Sequence, residues 1–172
     1  MTMKNKVEFY EQGLEEYPKS GILLSNFVML LWIALGTIAC WFLYPLMAWI
    51  YLAFAIIMVF VVLRNLICTN CYYYDKWCCT GLGKLSALFF KKGDTQKFNS
   101  SYGLKLAPLT YGLLTLVPLI SVVISFTQGF TIPKIVVLIL LLLISFYSGT
   151  VNRKKTCVNC KMRLICPGSA VK

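Results

Sequence analysis

The feature that most constrains this chain is the stretch Ile22–Leu63, which is almost continuously apolar. A helix that crosses the hydrocarbon core of a bilayer needs about 20 apolar residues, so the stretch holds two of them. The break falls at Leu43-Tyr44-Pro45-Leu46, because proline disfavours helix both at its own position and at the residue before it. One span is expected over Ile22–Leu43 and a second over Met47–Leu63, antiparallel neighbours across a very short turn. Leu106–Phe126 and Ile132–Val151 read in the same way around Thr127-Gln128-Gly129. Composition agrees: 13% of residues are charged and 59% hydrophobic, where a soluble domain carries roughly 25% charged residues. The expectation is an all-α integral membrane protein with four transmembrane helices as two antiparallel hairpins. Trp41, Tyr44 and Trp49 suit the surface at the first turn.

The segments between the spans divide the chain further. Residues 1–21 are polar and mixed in sign, with Lys4, Lys6 and Lys19 against Glu8, Glu11, Glu15 and Glu16. Val7, Tyr10, Leu14 and Tyr17 recur at helical spacing, which predicts a short surface helix ended by Pro18 and Gly21. The segment is too long and too acidic to read as a signal peptide. Residues 22–63 form the first hairpin, 64–105 a cysteine-rich loop, 106–151 the second hairpin and 152–172 a cysteine-rich tail. All but Lys134 of the 17 basic residues fall in the N-terminal segment, the loop or the tail. The positive-inside rule then puts both termini and the loop in the cytoplasm, in the inner or plasma membrane of a cell. The net charge of +11 reflects that topology and anionic lipid. No nucleic-acid motif accompanies it.

With Lys134 assigned to the opposite surface, the spans are read as free of Asp, Glu, Lys and Arg. Proton relays and ion pathways place such groups near the midplane, so a pump or proton-coupled carrier is disfavoured. Asn26, Thr37, Thr110, Thr115, Ser121, Ser125 and Ser145 are left to interhelical hydrogen bonding, and Cys40 to packing. The chain has no histidine, which removes bis-histidine haem, histidine general bases and mixed cysteine–histidine zinc sites. An enzyme is the less favoured reading.

The cysteines carry the chemistry. One arm runs Arg64-Asn65-Leu66-Ile67-Cys68-Thr69-Asn70-Cys71 and closes with Cys78-Cys79-Thr80-Gly81. A second runs Arg153-Lys154-Lys155-Thr156-Cys157-Val158-Asn159-Cys160 and closes with Cys166-Pro167-Gly168. Each follows an apolar run and reads basic residues, C-x-N-C, a third cysteine, then glycine. Hairpin, basic clamp and arm occur twice with one orientation, which predicts a parallel pseudo-repeat about an axis along the membrane normal. Such an axis brings the arms together.

Cysteines at C-x-x-C spacing can place both sulfurs on one metal, because the turn between them directs its backbone N–H groups inward. Asn70 and Asn159 suit a turn position with positive φ. The basic neighbours favour thiolates, and a reducing cytoplasm disfavours permanent disulfides. Cys68, Cys71, Cys78, Cys157, Cys160 and Cys166 are therefore the candidate metal ligands. Cys78 is preferred to Cys79 because its spacing from Cys71 better matches that of Cys166 from Cys160. The arms could bind a metal each, pool thiolates on one, or hold a larger centre.

Zinc suits a structural clip and an iron–sulfur cluster an electron carrier. The stretch Arg163–Ala170, with Cys166-Pro167, resembles the cysteine–proline ending of membrane ferredoxin-like electron-transfer proteins, although the full cysteine runs of that family are missing. Dithiol redox chemistry and juxtamembrane palmitoylation remain as further readings. Leu82, Leu85, Leu88 and Phe89 share a helical face within residues 80–93, which predicts an interfacial helix on the inner leaflet. The reading favoured is a zinc-clipped membrane scaffold or complex subunit, with the lipid bilayer and other membrane subunits as partners. Its rival is a membrane-bound iron–sulfur electron carrier or thiol redox protein.

Overall fold

The structure, a computed structural model, describes residues 9–99 and 101–171. Lys4, Lys6, Val7, Glu8 and Lys172 lie outside the described residues. Among the described residues all regular structure is helical, apart from one isolated parallel bridge between Leu14 and Cys160. Four helices are long and apolar enough to cross a membrane: α1 (Lys19–Trp41), α2 (Pro45–Asn70), α4 (Tyr102–Gln128) and α5 (Ile132–Val158). A short helix, α3 (Leu82–Phe89), lies in the loop between α2 and α4. This is the make-up of a multi-pass membrane protein.

Pro45 begins α2 at its first turn, where a missing N–H costs nothing. Trp41, Tyr44 and Trp49 are all exposed around that turn. α2 and α5 run several residues past their apolar stretches into the cysteine arms. Each passes through a π-helical turn on the way, Ile57–Val62 in α2 and Tyr147–Asn152 in α5.

α1 packs against α2, α4 and α5, and the end of α2 packs against the start of α4. The core lies along these seams. Trp32, Cys40, Tyr51, Val59 and Leu114 form one cluster, and Leu35, Ala39, Val122 and Leu141 another. Cys40 is fully buried there, as expected of a packing residue. Gly36 is required at the α1–α2 contact, since a Cβ would overlap the Tyr51 ring. The ring crosses α1 at that point, and its hydroxyl donates to the Leu114 carbonyl of α4 at 2.9 Å. That carbonyl lacks its helical partner because Pro118, four residues on, has no N–H. Between α1 and α5, Trp32 Nε1 donates to Ser145 Oγ at 3.2 Å.

Three expectations are corrected. No helix forms over residues 9–18, where the chain instead makes a turn and the Leu14–Cys160 bridge. The spanning helices are not free of charge. Lys134 is buried in α5, where Nζ donates to the carbonyls of Ser125 (2.7 Å) and Gly129 (2.9 Å) at the end of α4. Arg64 is buried in α2, because that helix continues beyond Leu63. Asn70 and Asn159 do not take positive φ; among the described non-glycine residues only Asp75 does, at 61°.

Candidate functional site

The two arms are built from the same turns. In the first, the carbonyl of Cys68 accepts from Cys71 N–H (3.3 Å), that of Cys71 from Tyr74 N–H (3.1 Å) and that of Cys78 from Gly81 N–H (2.9 Å). In the second, Cys157 accepts from Cys160 (3.2 Å), Cys160 from Arg163 (3.0 Å) and Cys166 from Ser169 (3.0 Å). Every candidate ligand thus opens a four-residue turn, its carbonyl bonded to the N–H three residues on, and the third cysteine of the first arm in this register is Cys78. Asn70 does local work of another kind. Its Nδ2 donates to the Leu66 carbonyl (3.2 Å), and its Oδ1 accepts from Asp94 N–H (3.0 Å), which ties the loop to the end of α2.

The arms meet. Tyr73, Phe98 and Met162 form a buried cluster that spans both, with Cys71, Cys78, Cys160 and Cys166 packed against it. The thiol of Cys71 interacts electrostatically with Cys68 and Cys78 and, across the arms, with Cys160. Cys160 interacts in turn with Cys157 and Cys166. Cys79 interacts electrostatically with Cys78, Cys71 and Cys160. Among the described residues, no three Cys, Asp or Glu side chains are drawn closely enough together to hold a metal ion as they stand. The donor chemistry suits a thiophilic metal, and the turns suit chelation. Binding would have to draw the sulfurs inward.

Burial sets the state of most of these thiols. It pushes Cys71 up to about 12 and raises Cys160 and Cys166. Cys78 is the opposite case. The Cys79 thiol donates to it, Gly83 N–H points at its Sγ (3.3 Å), and Thr80 Oγ1 lies 3.5 Å away; together they bring it down to about 5. Gly83 is in the first turn of α3, where free backbone N–H groups favour an anion. The same contact with Cys78 raises Cys79, together with burial.

A strap absent from the sequence reading closes over the arms. Tyr10 N–H donates to the Lys161 carbonyl (3.0 Å), Leu14 N–H to Asn159 (2.9 Å) and Tyr17 N–H to Trp77 (2.8 Å). The Tyr17 hydroxyl reaches the Thr156 carbonyl (2.8 Å). Tyr73 lies at the crossing: its hydroxyl donates to the Leu14 carbonyl (2.7 Å) and accepts from Lys161 N–H (3.1 Å). Gly13 sits so near the Lys161 backbone that any side chain would collide with it. Glu15 joins the arms by charge, pairing with Lys76 of the first (3.2 Å) and Lys161 of the second, and accepting from the Tyr72 hydroxyl. These three donors hold its carboxyl at about 2. Glu15 could have been suspected from sequence as an acid within a basic half. Its partners could not, because they come from far along the chain.

The fold and this face define a multi-pass membrane protein with a cysteine-rich clasp at one end. No known protein family matches the chain, and no curated protein or solved structure matches it either.

Proposed function

We propose that this protein is a membrane scaffold whose cytoplasmic face carries a thiolate metal site, with zinc clipping the loop to the tail. Cys68, Cys71, Cys78, Cys157, Cys160 and Cys166 supply the ligands. The observation that carries the reading is the repeated turn: each of these six carbonyls accepts from the N–H three residues on, in both arms. Such turns leave neighbouring N–H groups free to face bound thiolates. The packing of four of the six cysteines on one cluster supports a shared centre. Each zinc takes four ligands, so the centre either pools four of these six thiolates on one ion or holds a pair of ions with all six, and zinc supplies no redox chemistry. Strap and clip then fix one surface on which another membrane subunit can assemble.

The matched turns, and the π-helical turn ahead of each arm, also favour two hairpins related as a parallel pseudo-repeat. The basic residues favour both termini in the cytoplasm. A second reading, an iron–sulfur electron carrier, is favoured by the hydrogen bond from Gly83 N–H to Cys78 Sγ, a contact that tunes cluster potentials. Metal analysis with an optical spectrum of anaerobically purified protein separates the two. Zinc without visible colour is expected. Iron, sulfide and a visible band bleached by dithionite would replace the first reading by the second.

A further inference from the structure

Arg64 is a buried cation with no carboxylate partner among the described residues. The residue is 5% exposed, and its ion pair appears nowhere among the described residues. Nε donates to Ser86 Oγ at 3.2 Å, and Nη1 to the Phe60 carbonyl at 3.4 Å. The rings of Phe89 and Phe90 flank the guanidinium at 5.4 and 5.9 Å. Nη2 is buried without an acceptor among the described residues. Taking a guanidinium out of water is costly unless an anion and hydrogen bonds replace the water. Two neutral acceptors and two rings do not complete that exchange.

The anion-forming group that acts on Arg64 is Cys68. It lies four residues on in the same helix, hence on the same face one turn away. Ser86 lies between them: it is fully buried, accepts from Arg64 Nε, and its hydroxyl acts on the Cys68 thiol. The second arm repeats the spacing. Arg153 precedes Cys157 by four residues, donates through Nη2 to the Gly168 carbonyl, and acts electrostatically on Cys166.

We infer that Arg64 is the built-in counter-charge of the thiolate centre, a positioning residue that acts on Cys68 directly and through Ser86. A centre of several thiolates on one divalent ion carries net negative charge. A buried guanidinium beside it supplies the compensation that outer-shell donors give metal ligands. The same guanidinium keeps one buried donor without an acceptor among the described residues. The inference rests on the thiolate-centre reading for its role, and on Arg64, Ser86 and Cys68 alone for its geometry.

The test has two arms, so the two ideas fail separately. In the first, zinc retention against a chelator is measured for wild type, Arg64→Gln, Arg64→Lys and Ser86→Ala. Arg64→Gln should weaken retention about 10- to 100-fold, as outer-shell substitutions do. Arg64→Lys should recover part of the loss, and Ser86→Ala should lose less than Arg64→Gln. Unchanged retention in both Arg64→Gln and Ser86→Ala overturns the inference while leaving the metal reading intact. In the second arm, melting temperatures of metal-free Cys68→Asp and Cys68→Asn are compared with Arg64 present and with Arg64→Gln. The Asp variant should melt above the Asn variant only when Arg64 is present. An equal difference in both backgrounds overturns the inference. If wild type binds no zinc, the metal reading falls and this second comparison decides on the Arg64–Cys68 pair. If Arg64→Gln instead abolishes stabilisation by anionic vesicles at unchanged zinc retention, the guanidinium belongs to a lipid phosphate and the inference is overturned.

Discussion

The hydroxyl of Tyr51 donates to the carbonyl of Leu114 at 2.9 Å, the carbonyl that Pro118 leaves without a helical donor. The two groups sit on different helices, and Tyr51 reaches across only because α1 has glycine at position 36. Proline in one span, tyrosine in another and glycine in a third are thus one device. Tyr51→Phe leaves a buried carbonyl unpaired and should cost about 1–3 kcal/mol, read from unfolding in detergent. In a Pro118→Ala background an N–H returns to the helix, and the same substitution should cost clearly less. Equal costs in both backgrounds would show that the hydrogen bond does not compensate for the proline.

Lys134 closes the turn between α4 and α5. Its ammonium is buried and donates to the carbonyls of Ser125 and Gly129 on either side of that turn. Lys134→Met keeps the stem but removes the donors. It should destabilise the protein by about 1–3 kcal/mol in the same unfolding assay. An unchanged midpoint would mean that other groups satisfy those carbonyls.

The thiols of the metal-free protein should differ in reactivity. Cys78, at about 5, is a thiolate at neutral pH, whereas Cys71, at about 12, is not. Alkylation followed by mass spectrometry should modify Cys78 first, with a rate that rises through pH 5 and is flat above pH 7. Thr80→Val removes a hydroxyl that favours the thiolate and should move that rise to higher pH. Equal labelling of Cys71 and Cys78 at neutral pH would contradict the arrangement.

Glu15 makes the strap sensitive to acid. Its folded value, about 2, lies below its ordinary value of 4.5. The contribution is therefore fully present above the unfolded value and is lost as pH falls towards the folded one. Glu15→Gln should accelerate proteolysis within residues 10–17 by a constant factor above about pH 5, a factor that vanishes towards pH 2. A factor that grew on acidification would have the wrong sign.

How far the sequence reveals this structure depends on the range of the interaction involved. The four spanning helices follow from runs of apolar residues and from Pro45, which are local facts. Their cysteine-bearing ends do not. Nothing in Arg64-Asn65-Leu66-Ile67 breaks a helix, so α2 continues to Asn70 although its apolar run stops at Leu63. Val7, Tyr10, Leu14 and Tyr17 have helical spacing, yet Leu14 and Tyr17 spend their backbone N–H groups on Asn159 and Trp77. Tertiary pairing overrides a weak local preference there, and periodicity carries no trace of the partner. The candidate ligands were visible as repeated C-x-N-C. Arg64 and Arg153 were visible too, each four residues before the first cysteine of its arm, but only burial distinguishes the first as a charge in want of an anion.

The central claim is one metal centre shared by both arms, and zinc content per chain tests it most directly. Wild type, Cys68→Ser and Cys157→Ser would be purified without oxygen and assayed together by elemental analysis. The account predicts zinc in wild type and its loss from both variants, since each removes a ligand from the same site. A wild type without metal, or variants that each retain half of the wild-type metal, would contradict it.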